Sequence, residues 1–507
     1  MSSGGAVGYQ HLIDTLGLRV LPLVRQARVA PVLRVQPLDG VLQIPVGVAP
    51  QSDRPLEHLL FALKHEGTEL AVISAAFDHI SPQDLLEELA ARPTGGFIRK
   101  ACYLWEALRG QELTPARAEG SIVELFDPTK YLVAERGVRD LKWRVDFNGL
   151  GNWDMCPVVR RSEAIEAMLV DDVLGQAAEV LRAIKPEMLE RAMAWAYLNE
   201  TRNSFAIERE MPAHTREQAY VRLLQQVWSS RRMDEDYLVE LQNATITNPH
   251  DRAVQYRIEQ NHLSDSGRGA VGVTYVPPAP AQVERLMAGV LAIANGDGAA
   301  MPPLIRASLA SFGFVYVHPF MDGNGRLSRF LSHYVLANSG VLPDSTILPL
   351  SVAMKREELG YLRALQAFSR PARALWDVTW LEGSRFEFAL RGHPDIYRFW
   401  DATAQTEFMG RMGQQALQRD IVSEVAYLES FDRAYRRLNR DFDVRNPVLT
   451  SLIRMCVDND GVLSKNRRKQ FALEVQPELF DAIERVVREE FTGLAPPASA
   501  PNRPPRG

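Results

Sequence analysis

From about residue 161 onward, apolar positions recur at helical spacing, whereas residues 10–160 mix β-branched runs with helical stretches. In the mixed part, Val20–Val24 and Val32–Val46 are β-branched and broken by Pro and Gly, which predicts short strands or loops. Helices are expected over Pro82–Ala90 and Gly96–Leu108. The second puts Phe97, Ala101, Leu104, Trp105 and Leu108 on one face. Loop-rich sequence follows, containing DPTKY and FNGLGNWDMCP. Beyond it, Ile165, Met168, Leu169 and Val173 share a stripe, and Met188, Ala192, Trp195, Leu198 and Arg202 continue one long helix. A second long helical stretch is expected near 213–241. Two strand-like runs, Tyr256–Leu263 and Val271–Val276, flank the turn SDSGRG, a hairpin signal closed by Pro277-Pro278. Helices are expected again at 281–294, 302–316, 326–338 and 355–368, and 373–490 reads as mainly helical.

The 507 residues imply two to four domains at roughly 150 residues each. The expected division is a disordered 1–9, an N-terminal recognition or regulatory region 10–184, a helical core 185–370, a helical region 371–492 and a flexible Pro-rich tail 493–507. No fixed-period repeat is visible. Composition changes this picture little. With 46% hydrophobic and 24% charged residues the chain is globular, and 58 Lys+Arg against 63 Asp+Glu leave a net charge of −5. That balance gives no overall basic bias towards nucleic acid or anionic membrane. The basic run Lys465–Lys469 reads as a solvated helix face, so nucleic acid would enter only through the flanking regions. Cys102, Cys156 and Cys456 have no CxxC spacing, which argues against a zinc site or disulfide framework. The N-terminus lacks a basic and an apolar signal region, and no 18-residue apolar stretch exists. A cytoplasmic location without membrane partners is the expectation.

Candidate chemistry is concentrated in residues 318–329, His-Pro-Phe-Met-Asp-Gly-Asn-Gly-Arg-Leu-Ser-Arg. The preceding helix carries Leu304, Ile305, Leu309, Phe312 and Tyr316 on one stripe, and Pro319 forces the chain out of it at His318. Gly323, Asn324 and Gly325 permit left-handed angles, which aim backbone N–H groups into an anion nest. The next helix, expected from Arg326, adds its positive N-terminus, with Arg326 and Arg329 on one face. Asp322 and His318 flank the nest. A phosphate nest with two arginines, one hard-metal ligand and one base suits metal-assisted chemistry on a polyphosphate.

This segment resembles, at every specified position, the signature HPFx[D/E]GNGRxxR of the Fic family. The resemblance implies a mainly α fold: a helical core with a β-hairpin flap, preceded here by a mixed α/β region and followed by a helical one. It also implies transfer of AMP from ATP to a Ser, Thr or Tyr hydroxyl of a target protein, which includes this chain itself among the candidates. His318 would be the general base, and an unperturbed imidazole pKa of about 6.5 suits that role. Asp322 would hold Mg²⁺, Gly323, Asn324 and Gly325 would cradle the phosphates, Arg326 would neutralise the departing pyrophosphate, and Arg329 would contact the γ-phosphate. Phe320 reads as a packing anchor, His333 as structural, and Tyr361 as the residue bordering the adenine.

Upstream, residues 203–210 (NSFAIERE) resemble the [S/T]xxxE[G/N] segment of self-inhibited Fic proteins through Ser204 and Glu208, with Arg209 departing from Gly or Asn. The resemblance implies that Glu208 pairs with Arg329 in place of the γ-phosphate. The expected hairpin would be the flap, with Tyr256, Glu259, Val273 and Tyr275 pairing with the target by strand addition. Alternatives in the same site are removal of AMP or transfer of another nucleotide or phosphate-bearing group. A toxin-like regulatory protein with DNA- or partner-binding flanks is a further one. Oligomerisation, frequent in the family, is open.

Overall fold

The computed structural model describes residues 4–114, 118–229, 231–246, 252–265, 267, 269–298, 300–383 and 385–493. The protein is mainly helical and divides into two compact units that interleave along the chain. One gathers residues 1–171, 230–335 and 359–410, and the other 172–229, 336–358 and 411–507. This division differs from the linear one read off the sequence, because packed helices need not be consecutive.

The first unit opens with β1 (Ala6–Val7), α1 (Gly8–Leu16), β2 (Gln26–Ala30), β3 (Gln36–Leu38) and β4 (Val41–Pro45), in sheet order β1-β2-β4-β3. Residues 4–9, expected to be disordered, are therefore ordered: β1 pairs with β2 and Gly5 accepts from the Val29 N–H. Val20–Val24 forms no strand, consistent with the missing N–H of Pro22. Helices α2 (Pro55–His65), α3 (Leu70–Ala76), α4 (Pro82–Ala91) and α5 (Gly96–Arg109) follow, with Ser81 and Asp84 closing a capping box on α4. A three-stranded sheet of β5 (Val123–Glu124), β6 (Val138–Asp140) and β7 (Val145–Phe147) completes this region, in order β5-β7-β6. Leu59, Ile73, Leu85, Leu104 and Trp143 sit at the centre of its core. Next comes α6 (Glu163–Asp171).

In the second unit, α7 (Val173–Ala183) and α8 (Pro186–Ile207) precede α9 (His214–Gln225). The helical stretch expected over 213–241 is broken. After α9 and a short 3-10 turn, α10 (Glu235–Thr245) starts afresh in the first unit, where the Asp234 carboxylate accepts from the Tyr237 N–H. The first unit continues with β8 (Leu263–Ser264), β9 (Val273–Tyr275), α11 (Pro280–Asn295), α12 (Pro303–Val317) and α13 (Asn324–Ala337). Then α14 (Leu350–Arg356) belongs to the second unit and α15 (Glu358–Arg373) largely to the first.

Residues 376–390, where helix was expected, are not helical. Strands β10 (Trp376–Glu382) and β11 (Arg385–Leu390) pair antiparallel. Trp376, Val378 and Trp380 face Phe386, Phe388 and Leu390 across the pair, a period-2 pattern that tolerates no helix. Helices α16 (Thr403–Gln415), α17 (Val422–Asp441), α18 (Asn446–Val457), α19 (Lys465–Phe471) and α20 (Pro477–Glu490) end the chain, and the last four share an apolar core. In the basic run, Arg468 is committed to Asp481 and Glu484. Among the described residues no helix is long and apolar enough to cross a membrane. The expected tail from 494 onward lies outside the described residues.

Candidate active site

The site begins where α12 ends. All five residues of the expected stripe on α12 are buried. The helix closes on His318 in the left-handed conformation, φ 53° and ψ 59°, with its N–H on the Phe314 carbonyl at 2.9 Å. A non-glycine residue adopts such angles only when its surroundings fix them. Here the fixing comes from Arg257. Its guanidinium donates to the carbonyls of His318 (2.8 Å), Pro278 (2.6 Å), Glu259 (3.0 Å) and Val317 (3.3 Å), and its N–H donates to the Pro319 carbonyl at 2.8 Å. Burial pushes this guanidinium down to about 10. A cation on the last carbonyls also complements the negative end of the helix dipole. Nδ1 of His318 lies 3.2 Å from the Val315 carbonyl. Since a carbonyl only accepts, Nδ1 carries the proton and Nε2 is the basic nitrogen of the neutral ring.

The loop that follows is held from within and from outside. The Asn324 amide accepts from the Phe320 N–H (3.0 Å) and donates to the Phe320 carbonyl (2.8 Å), stapling the turn across four residues. Phe320 is buried against the Tyr256 ring at 5.7 Å, as befits a packing anchor. Asn261 donates to the carbonyls of Phe320 and Met321, and Gln242 of α10 to that of Asp322. Because peptide units are planar and trans, carbonyls drawn to one side turn the N–H groups of Met321 and Asp322 to the other. The left-handed step is Gly323, at φ +86°, where a Cβ would also meet Ile246 at 3.4 Å. Helix α13 then starts at Asn324, two residues before the expected Arg326. Asn324 and Gly325 thus contribute N–H groups of a helix N-terminus, not further left-handed turns.

Arg326 and Arg329 occupy the first turns of α13 and are almost fully buried. Arg326 donates to the Thr245 carbonyl at 2.9 Å and approaches Asp322 Oδ1 at 3.6 Å. Oδ1 of Asp322 also accepts from the Gly323 N–H at 2.6 Å, while the side chain is 42% exposed. One accessible carboxylate on a turn next to a helix N-terminus fits Mg²⁺, which keeps most of its waters and takes its other ligands from substrate phosphates. His333 is buried on α13, in keeping with a structural role.

The flap is shorter than expected. Only Leu263–Ser264 and Val273–Tyr275 form strands, with Leu263 opposite Tyr275 and Ser264 opposite Val273. Tyr256 and Glu259 lie on no strand: Tyr256 is buried under the motif and Glu259 is exposed in irregular chain. Tyr275 is buried too, its hydroxyl donating to the Tyr316 carbonyl at 2.6 Å, so it ties the flap to α12 and presents nothing to a target. The β10–β11 hairpin backs the flap: His262 packs on Phe386 and Phe388, and Arg373 bonds the carbonyls of Ala270 and Val273. Tyr361 is buried with its ring near Phe312 and Phe408, inside the helical core.

Ser204 and Glu208 belong to the other unit. Ser204 is buried on α8, 3.4 Å from the Tyr220 hydroxyl. Glu208 caps the C-terminus of α8, and Arg209 takes φ +59°. The Arg209 N–H bonds the Ala206 carbonyl (3.1 Å) and the Glu210 N–H the Phe205 carbonyl (3.0 Å), a Schellman motif with Arg209 at its left-handed position. Glycine or asparagine suits that position best. Lys355 of α14 adds a bond to the Ala206 carbonyl at 3.1 Å.

Sequence reasoning missed Arg257, Asn261 and Gln242. Only Arg257 left a trace, as a charged residue inside an otherwise strand-like run.

Residues 232–336 match the Fic/DOC family. Over 110 residues the chain is 32% identical to "Protein adenylyltransferase Fic" of Nematostella vectensis, spanning 21% of this chain and 24% of that protein. Over 94 residues it is 35% identical to "Protein adenylyltransferase fic-1" of Caenorhabditis briggsae, 18% of each. The chain therefore spans a quarter or less of these curated relatives. A crystal structure of a Fic domain containing signaling protein from Bacteroides thetaiotaomicron aligns with TM-score 0.38 and 18% identity, over 50% of this chain and 95% of that one.

Proposed function

Because the chain carries a Fic/DOC domain over residues 232–336, we propose that it is a protein adenylyltransferase that moves AMP from ATP to a Ser, Thr or Tyr hydroxyl of a target protein. The observation that carries this reading is His318, whose Nδ1 lies 3.2 Å from the Val315 carbonyl, at the head of the turn that leads into α13 with its two buried arginines. Nε2 takes the proton of the incoming hydroxyl. The hydroxyl oxygen bonds to the α-phosphorus as the bond from that phosphorus to the bridging oxygen of pyrophosphate breaks. Gly323, the α13 N-terminus and Arg326 hold the charge that builds on the departing pyrophosphate, so catalysis is mainly positioning and charge stabilisation. Asp322 would hold Mg²⁺, which supplies charge neutralisation between the phosphates. Glu208 would act as an inhibitory anion, taking the place of the γ-phosphate on Arg329.

The test is self-labelling and labelling of a cell lysate with ATP carrying a tagged α-phosphate. Strong label is expected in Glu208→Gly and little in wild type, a difference of about 100-fold or roughly 2.7 kcal/mol of coupling. No label is expected in His318→Ala or after chelation of Mg²⁺. Equal label in wild type and Glu208→Gly would remove the inhibitory role. Label persisting in His318→Ala would remove the base.

A further inference from the structure

Helix α16, a π-helical turn over Ala416–Ile421 and α17 form one unbroken helical run, and α17 packs against α8 within the second unit. Glu424 stands in the first turn of α17, where a free helix N-terminus would favour a carboxylate. Here there is no free N-terminus, because Ile421 before it is itself helical, at φ −67° and ψ −52°. Glu424 is only 5% exposed, and its Oε2 is shut from water with no hydrogen-bond partner among the described residues. The charged groups around it supply no close counter-ion. On α8, Arg191 faces it, but Nη1 of that guanidinium donates to both oxygens of Asp432, at 2.8 and 2.9 Å. On its own helix Tyr427 lies nearby, faced from the end of α18 by Arg454 and Asp458. Two other buried acids of these helices are already satisfied. Asp420 of the π-helical turn, with Arg419 beside it, is held by Arg356 of α14 at 2.9 and 3.1 Å. Glu200 of α8 accepts from the N–H and hydroxyl of Ser351. A buried carboxylate with an unbonded oxygen costs more than its protonated form. Burial accordingly pushes the Glu424 carboxyl up to about 7, against the weaker pull of Arg191.

We propose that Glu424 is a proton-operated latch between α17 and α8. Protonated, it packs as a neutral group. Ionised, it needs water, and the contact between the two helices loosens to admit it. Helix α8 is the one that carries Ser204 and ends at Glu208. In the unfolded chain a glutamate ionises above about 4.3. The stability that the protonated form contributes is therefore full below that value and is lost as pH rises to about 7. The proposal does not depend on adenylyl transfer.

The experiment is hydrogen–deuterium exchange of the full chain between pH 5 and pH 8, read as protection factors, which divide out the chemical exchange rate. In wild type, protection of α8 is expected to fall as pH rises, by up to about tenfold per unit below neutrality. The fall is expected to be absent from Glu424→Gln, which keeps the shape of the protonated acid. Peptides from α12, in the other unit, should show the same pH dependence in both proteins. Arg191→Met removes the facing cation, so the fall should move to higher pH. The proposal is overturned if α8 protection depends on pH alike in wild type and Glu424→Gln, or if Arg191→Met leaves the fall where it is. Should Glu424→Gln not fold, the Arg191→Met midpoint decides alone.

Discussion

Among the helix ends at which a non-glycine residue takes the left-handed conformation, those at His318 and Arg209 differ in what holds them. His318 closes α12 at φ 53° and Arg209 closes the stretch after α8 at φ 59°. The His318 end is buried and held from several sides, by Arg257, by Pro319 and by the Asn324 staple. At the Arg209 end the chain is exposed, secured by its own Schellman bonds and by Lys355. Equal backbone strain therefore has different meanings. Where the surroundings enforce it, the strain fixes the place of an imidazole. Where they do not, it is a local cost that a glycine would relieve.

Substituting glycine at both ends separates these meanings. His318→Gly keeps the left-handed step and removes only the ring. Label transfer in a Glu208→Gly background should fall by at least about 100-fold while the melting temperature stays within a few degrees. A large loss of stability would mean that the imidazole is mainly structural. Next in size is Arg257→Met, which strands several buried carbonyls and should destabilise the first unit by about 3 kcal/mol, read by denaturant unfolding. A near-neutral result would show that the α12 end does not need this clamp. Asn324→Ala removes both bonds to Phe320 and should cost about 2 kcal/mol, with weaker ATP binding measured by calorimetry. The smallest effect is expected at the exposed end: Arg209→Gly should stabilise by about 1 kcal/mol, whereas the same change at His318 brings no comparable gain.

Much of the site was legible because it is contiguous. His318, Pro319, Gly323 and the arginines act through local backbone geometry, which twelve adjacent residues determine together. The one local error, a helix start at Arg326 instead of Asn324, arose from giving left-handed angles to three residues when Gly323 alone takes them. The flap was half legible. Tyr256 and Tyr275 alternate as strand residues do, yet both are buried, because the apolar underside of the motif and α12 claimed them. The β10–β11 hairpin had a readable signal: alternating aromatic and aliphatic positions on either side of Gly383-Ser384. Arg257 had none of comparable strength, since its carbonyl partners at Val317 and His318 lie about sixty residues away in sequence.

By itself the sequence determined the helical character, the turn at residues 318–329 and the residue types it presents, because these rest on periodicity and on backbone rules acting over a few residues. The tertiary structure alone decided which nitrogen of His318 is basic, which arginine clamps the helix that carries it, and how the chain divides into two interleaved units. Those outcomes depend on where buried carbonyls and charges find partners. In a folded chain those partners come from elements far apart in sequence, so no local pattern announces them.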